Sequence, residues 1–181
     1  MKTALITGAT AGIGQATAKL LAENGYRLVL CGRRQERLQE LKQSLGNAVP
    51  VHTLKFDIRE KQAVFHAVES LPEEFSQIDI LINNAGNAHG LAPIDQGSVE
   101  DWDAMIDINV KGLLYISKII IPGMVKRESG HIVNIGSIAG KEVYPNGNVY
   151  CASKYAVDAI NQGMRIDLYK HNIRVTGINP G

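Results

Sequence analysis

TALITGATAGIG, residues 3 to 14, is the stretch whose reading decides the fold. A short apolar, partly β-branched run, TALIT (3 to 7), stops at Gly8, and Gly12 and Gly14 open an amphipathic pattern. A strand that turns through glycines into a helix brings backbone amides to the positive end of that helix, where a pyrophosphate binds readily. The spacing is Gly8-x-x-x-Gly12-x-Gly14 rather than the commoner G-x-G-x-x-G, and by itself it also fits a plain strand-to-helix turn. Its place after the first strand and before an amphipathic helix favours dinucleotide binding.

Working outward, the same alternation continues along the chain. RLVLC (27 to 31), VHTLKF (51 to 56), IDILIN (78 to 83), HIVNIG (131 to 136) and IRVTGI (173 to 178) read as strands. Most are too continuously apolar for a sheet wetted on one face. Helical patterns occupy 13 to 24, 34 to 45, 60 to 71, 99 to 124 and 150 to 169, the fourth opened by the capping signal Ser98 to Asp101. Strict strand–helix alternation predicts a doubly wound parallel sheet of Rossmann type, layered α/β/α, because parallel returns need crossovers that cover the sheet. No linker or repeat divides the chain, so a single domain over 1–181 is expected, carrying cofactor and catalytic residues together. Ligands of such folds bind outside the carboxyl ends of the strands.

Composition narrows the function classes. Of 181 residues, 45% are hydrophobic and 20% charged, and the formal net charge is +1. That balance provides no broad field for nucleic acid or an anionic membrane, while a small-molecule ligand fits it. The N-terminus turns to Gly and Thr after a short apolar run, unlike a signal peptide or membrane anchor, and a cytoplasmic location is expected. Cys31 and Cys151 have no CxxC or metal-type spacing and are read as free, buried thiols; no metal site is expected.

The residues that follow each strand carry the chemistry. After the second strand stand Cys31, Gly32, Arg33 and Arg34, with no acidic residue to meet a ribose 2′-hydroxyl. Two guanidiniums favour a 2′-phosphate, hence NADP (NADPH) over NAD, although an exposed basic first helical turn would look alike. After the third strand, Asp57 could accept from an adenine amino group or cap the next helix. Asn83, Asn84, Ala85 and Gly86 after the fourth form either a turn or a wall against ribose and adenine. After the fifth comes Ser137, and then Tyr150 and Lys154, which share a helix face one turn apart. A free phenol is a poor base at neutral pH. An ammonium about 4 Å away favours phenolate by roughly 4 kcal/mol at an effective dielectric of ~20, so the spacing lets Lys154 tune Tyr150.

Taken together and in order, TGATAGIG, Asp57, NNAG (83 to 86), Asn109, Ser137, Tyr150-x-x-x-Lys154 and Pro180-Gly181 resemble the short-chain dehydrogenase/reductase family over residues 2 to 181. The resemblance implies hydride transfer with Tyr150 as general acid or base at the substrate oxygen and Ser137 hydrogen-bonded to that oxygen. It implies that Lys154 holds the nicotinamide ribose and that Asn109 anchors a water of a proton relay; without it, Asn109 reads as a helix-packing amide. Implied cofactor contacts are Gly8, Thr10, Gly12, Ile13 and Gly14 in the first turn and Arg33, Arg34, Asp57 and Ile58 around the adenosine. Asn84, Ala85, Gly86, Tyr150, Lys154, Pro180 and Gly181 complete the set.

RRQERLQELK (33 to 42), SVEDWDAMIDINVKGLLY (98 to 115) and YPNGNVYCASK (144 to 154) are most similar to the NADP-dependent dehydrogenases of serine, L-allo-threonine and related 3-hydroxy acids. The reaction implied is oxidation of a 3-hydroxyl to a 3-keto group and its reverse, with Tyr144 and Asn146 lining the substrate pocket beside Ser137 and Tyr150. Two alternatives stand beside it: a 3-oxoacyl thioester reductase of the same family, and a truncated, idle nucleotide-binding protein. His89, His131 and Trp102 are read as surface, packing or subunit-contact residues. By analogy the chain is expected to form a homo-oligomer, tetramer or dimer, through the helices at 99 to 124 and 150 to 169. In the family, Pro-Gly leads into a substrate-covering loop, a further helix and a last strand, so these C-terminal elements are expected to be missing after residue 181.

Overall fold

Side chains alternate faces along a strand, so a strand covered on both sides buries all of its residues. Thr3–Thr7, β1, does so throughout. The computed structural model describes residues 1–181 and places β1 beside β2 (Arg27–Gly32), β3 (Val51–Lys55), β4 (Ile80–Asn83), β5 (Gly130–Ile135) and β6 (Ile173–Ile178). They form one six-stranded sheet in the order β3-β2-β1-β4-β5-β6, parallel at every pairing. Leu5, Val29, Leu81 and Ile132 face one core, while Ala4, Ile6, Leu28, Leu30, Ile82 and Val133 face the other. Each such aliphatic side chain withdrawn from water contributes about 1.5–3 kcal/mol, so the central strands anchor both helix layers.

Seven α-helices cover the sheet: α1 (Gly12–Glu23), α2 (Gln35–Leu45), α3 (Lys61–Glu69), the short α4 (Glu73–Ser76), α5 (Val99–Ile106), α6 (Leu113–Lys126) and α7 (Asn148–Leu168). Ala18, Ala22, Leu38 and Leu41 from α1 and α2 join the second core, and Val64, Ile116, Ile120, Met124 and Leu168 from α3, α6 and α7 join the first. The doubly wound α/β/α architecture read from the sequence is therefore the one observed. No helix is long and apolar enough to cross a membrane.

The helix expected over 99 to 124 differs. Ser98 caps it as read, its hydroxyl accepting from the Asp101 amide at 3.3 Å. The path then loosens into a π-helical turn, Asp107–Gly112, before α6 resumes. Gly112 permits this turn to close on the loop after β3, because a Cβ there would lie 2.8 Å from Ile58 Cγ2. π-turns inside α-helices often mark functional positions, and Asn109 sits in the middle of this one. The short α4 and the 3₁₀ turns at Ile138–Gly140 and Tyr169–His171 were not anticipated.

Candidate active site

Strand order reverses between β1, which runs outward to β2 and β3, and β4, which runs to β5 and β6. A crevice opens at the carboxyl ends of the strands there. Thr7 and Asn84 fasten its floor. The Thr7 hydroxyl donates to Ile82 O at 3.3 Å and accepts from the amides of Asn84 and Ala85, each at 3.0 Å. Asn84 Nδ2 donates to the carbonyls of Thr7 and Gly8, at 3.0 and 3.1 Å. Gly8 follows at a φ of +63° with Ala85 so close that a Cβ would lie 2.9 Å from its Cα. A Cβ on Gly14 would run into the Gly8 carbonyl and the Asn84 amide. The glycine loop thus collapses onto the NNAG turn, and Asn84, expected as part of a wall against ribose and adenine, lines the crevice while its Nδ2 is bonded into the scaffold.

The same loop leaves the start of α1 open. Its N-cap, Ala11, offers no side-chain acceptor, and the first turn carries no acidic residue. Free amides and an uncompensated dipole in a glycine-lined hollow fit a diphosphate. By contrast α5, away from the floor of the crevice, is capped by Ser98 and carries Glu100 and Asp101 in its first turn.

At the end beside β2 and β3 the crevice is lined by Thr10, Arg33, Arg34, Asp57, Ile58 and Ala85, among others. Arg33 is 64% exposed, its nearest carboxylate oxygen 4.0 Å away on Asp57. Arg34 is exposed and forms no ion pair. Asp57 is neither free nor a cap of α3, whose N-cap is Glu60. Arg59 grips its carboxylate, Nε at 3.1 Å from both oxygens and Nη2 at 2.7 Å from Oδ2, while the Arg59 amide donates to Oδ1 at 3.0 Å. Burial pulls the Asp57 pKa up, but the hydrogen bonds and charge of Arg59, with Arg33 adding to them, outweigh it and hold the carboxyl below its ordinary value. Cys31 lines this end yet is buried, and burial pushes its thiol far up; both cysteines are free, as read.

The end of the crevice beside β5 and α7 shares Gly8, Ala11, Ala85, Gly86 and Asn87 with the first and includes Gly12, Ile13, Ser137, Tyr150, Lys154, Pro180 and Gly181. Ser137 begins the turn Ile138–Gly140, its hydroxyl accepting from the Ala139 amide at 3.1 Å, which leaves its own proton to be donated. Gly140 lets this turn lie on α7, because a Cβ would stand 2.7 Å from the Lys154 carbonyl oxygen. Pro180 O accepts from the Ile138 amide at 2.9 Å, so the segment after β6 closes the same wall. Lys154 is only 7% exposed and has no carboxylate partner. Its Nζ donates to Ile135 O at 3.2 Å and lies 5.9 Å from the centroid of the Tyr150 ring. Burial lowers its pKa.

Asn109 lies behind this end. Its Oδ1 accepts from the Asn87 amide at 2.8 Å, and Nδ2 donates to Asn87 O at 2.9 Å and to Ser153 Oγ at 3.0 Å. Both amide hydrogens are therefore engaged, so a relay through this side chain has one Oδ1 lone pair to use. Gly86 separates Asn109 from the ammonium, a Cβ there lying 3.2 Å from Asn109 Oδ1 and 3.5 Å from Lys154 Nζ. Tyr144 and Asn146 are exposed and outside the lining of the crevice, and Asn146 adopts a left-handed φ of 65° in the turn before α7. His89, at the surface 3.9 Å from Asp101, and His131, bonded to Thr176 Oγ1, do not line it.

Sequence reasoning passed over Thr7, Asn87, Arg59 and Gly140. The Asp57-x-Arg59 spacing, short enough for a local turn, is the one signal that could have found one of them.

A family model described as short chain dehydrogenase matches residues 2–181, and the chain belongs to that family of oxidoreductases. An NADP-dependent 3-hydroxy acid dehydrogenase, YdfG, of Salmonella typhi is 49% identical over 98% of this chain and 71% of its own length. Sulfoacetaldehyde reductase 2 of Chromohalobacter salexigens is 43% identical over 98% of this chain and 71% of its own. The closed form of a serine dehydrogenase complexed with NADP+ superposes with a TM-score of 0.94 at 47% identity, over 99% of this chain and 71% of that one.

Proposed function

We propose that this short-chain dehydrogenase uses NADP and interconverts the 3-hydroxyl and 3-keto forms of a small 3-hydroxy acid such as serine or L-allo-threonine. One observation carries the reading: Ser137, Tyr150 and Lys154 meet at one end of a crevice whose other end presents Arg33 and Arg34 with no carboxylate in hydrogen-bonding contact. The similarity to NADP-dependent relatives at 49% identity supports the choice of cofactor, and the serine dehydrogenase fold supports the substrate class.

A bound nicotinamide would supply the hydride acceptor for oxidation of the alcohol carbon and the hydride donor for the reverse reduction. The amides of the Gly8–Gly14 loop and the open end of α1 would hold the diphosphate, and Arg33 and Arg34 the 2′-phosphate. Ser137 Oγ donates to the substrate oxygen and fixes its position. Tyr150 takes the hydroxyl proton during oxidation and gives it back during reduction. Lys154, whose ammonium lies 5.9 Å from the centroid of the Tyr150 ring, supplies the positive charge beside this exchange. Asn109 holds Asn87, and with it the wall that Gly86 forms beside Lys154. A single domain working in the cytoplasm, assembled as a homo-oligomer through α5–α6 and α7, belongs to the same reading, and light scattering measures the assembly.

Nicotinamide absorbance with NADP or NAD, offered serine, L-allo-threonine, 3-hydroxyisobutyrate and a 3-oxoacyl thioester in turn, tests the assignment. Turnover of a hydroxy acid with NADP is the expected result. Turnover of the thioester alone would replace the substrate, and tight NADPH binding without any turnover would favour a nucleotide-binding role.

A further inference from the structure

We propose that Arg59, remote from the catalytic end, sets the preference for NADP over NAD by holding the Asp57 carboxylate away from Arg33. The inference rests on the reading of Arg33 as part of the 2′-phosphate site. Arg33, Asp57 and Ile58 line one end of the crevice, so a single carboxylate there has two guanidiniums within reach. Arg59 has it: Nε and Nη2 contact both oxygens at 2.7 to 3.1 Å, and its amide adds a bond at 3.0 Å. Arg33 Nη1 stands 4.0 Å from Oδ2, beyond hydrogen-bond length, and its side chain is 64% exposed.

Sequence locality decides which arginine wins. Asp57 and Arg59 belong to one turn, closed by the bond from the Arg59 amide, so their pairing orders little additional chain. Arg33 comes from the end of β2, on a separate segment, and would have to fix its long side chain across the crevice to reach the same oxygens. A carboxylate and a phosphate compete for the same planar fork of donors. With Asp57 occupied, the Arg33 fork remains available to a phosphate. Without Arg59, a shift of about 1 Å would bring Arg33 to hydrogen-bond length with Asp57. A 2′-phosphate would then have to displace a carboxylate, whereas a cofactor with a free 2′-hydroxyl would lose nothing.

Fluorescence titration with NADPH and NADH, on the purified chain and three sets of variants, reads this directly and needs no substrate. Arg59 is 39% exposed and caps no helix, so its replacement leaves the fold in place, which a melting curve checks. Arg59→Leu is expected to raise the Kd for NADPH about tenfold and that for NADH by less than about twofold. Asp57→Asn alone is expected to change the NADPH-to-NADH ratio by less than about threefold, yet to restore that ratio when added to Arg59→Leu, a strongly non-additive pair. An unchanged ratio in Arg59→Leu overturns the inference. So does additivity, which would mean that only net charge matters. Arg33→Ala separates the premise: if it loses the ratio while Arg59→Leu keeps it, the role of Arg59 falls alone, and if Arg33→Ala keeps the ratio, the phosphate reading falls and takes the inference with it.

Discussion

Replacing Lys154 by Met should weaken the enzyme and strengthen the fold. The ammonium is 7% exposed, donates one hydrogen bond, to Ile135 O at 3.2 Å, and faces no carboxylate. Its charge is therefore held in the interior with no counter-charge, which costs about 1 kcal/mol or more that an apolar side chain of similar length would not incur. Burial sets the folded pKa of this amine below its ordinary value of 10.5. Below the folded value the buried charge costs stability in full. As pH rises from the folded value toward 10.5 the folded amine is already neutral, and the cost fades. The variant is thus expected to melt about 2–4 °C above the parent for each kcal/mol at neutral pH, with the gap closing as the solution becomes alkaline. Turnover moves the opposite way. Without the ammonium that lies beside the Tyr150 ring, the proton exchange loses its neighbouring positive charge, so turnover should fall by about a hundredfold or more. Thermal melts at neutral and alkaline pH, with steady-state rates on the same preparations, measure both effects. A lower melting temperature at neutral pH, a gap that ignores pH, or turnover within about tenfold of the parent would refute the reasoning.

Tyr150→Phe should abolish turnover while NADPH titration shows a Kd within about threefold of the parent, since the phenol is assigned a proton rather than the cofactor's main contacts. Glu at both Arg33 and Arg34 should weaken NADPH far more than NADH in calorimetric titration; an equal loss would show that neither guanidinium reads the 2′-phosphate. Gly14→Ala should lower stability by about 1–3 kcal/mol in urea and weaken NADPH, because its Cβ meets the Gly8 carbonyl and the Asn84 amide and must push the glycine loop open. Asn161→Leu should cost about 1–3 kcal/mol in the same assay, since it leaves Asn134 Nδ2 with only the Met164 sulfur at 3.8 Å.

The sheet could be read from sequence because both of its faces are covered. Ala4, Leu5 and Ile6 are fully buried although they point to opposite cores, and that demand leaves an uninterrupted apolar run where a one-sided strand would alternate. Tyr150 and Lys154 were legible for a comparable reason: their relation lies within one helix, where spacing fixes the shared face. The π-helical turn was not. Asp107–Gly112 is a change in winding confined to six residues, too few for apolar periodicity to distinguish, and it is held by contacts such as Gly112 against Ile58 that come from distant sequence.

Side-chain amides were the least legible group, because an amide names no partner. Asn84 was read as part of a wall for ribose and adenine, and it does line the crevice, but its Nδ2 is also bonded to the carbonyls of Thr7 and Gly8, which only the pairing of β1 and β4 brings within reach. Asn83 looked the same and does something else again: its Nδ2 donates to Asn134 Oδ1 at 2.9 Å and to Ser117 Oγ at 3.1 Å, and Asn134 passes a bond to Asn161 on α7 at 3.0 Å. That chain exists only because Asn83 and Asn134 are register partners across β4 and β5. Most buried polar groups find partners, but only the assembled sheet says which: Asn83 Nδ2 is bonded twice while its Oδ1 and both side-chain polar atoms of Asn87 are not bonded within the chain. The consequence for the site is concrete. Asn161 stands on the helix that carries Tyr150 and Lys154, so the amide chain fixes α7 against the sheet, and the position of the reacting phenol is set partly by residues whose own sequence context gives no hint of it.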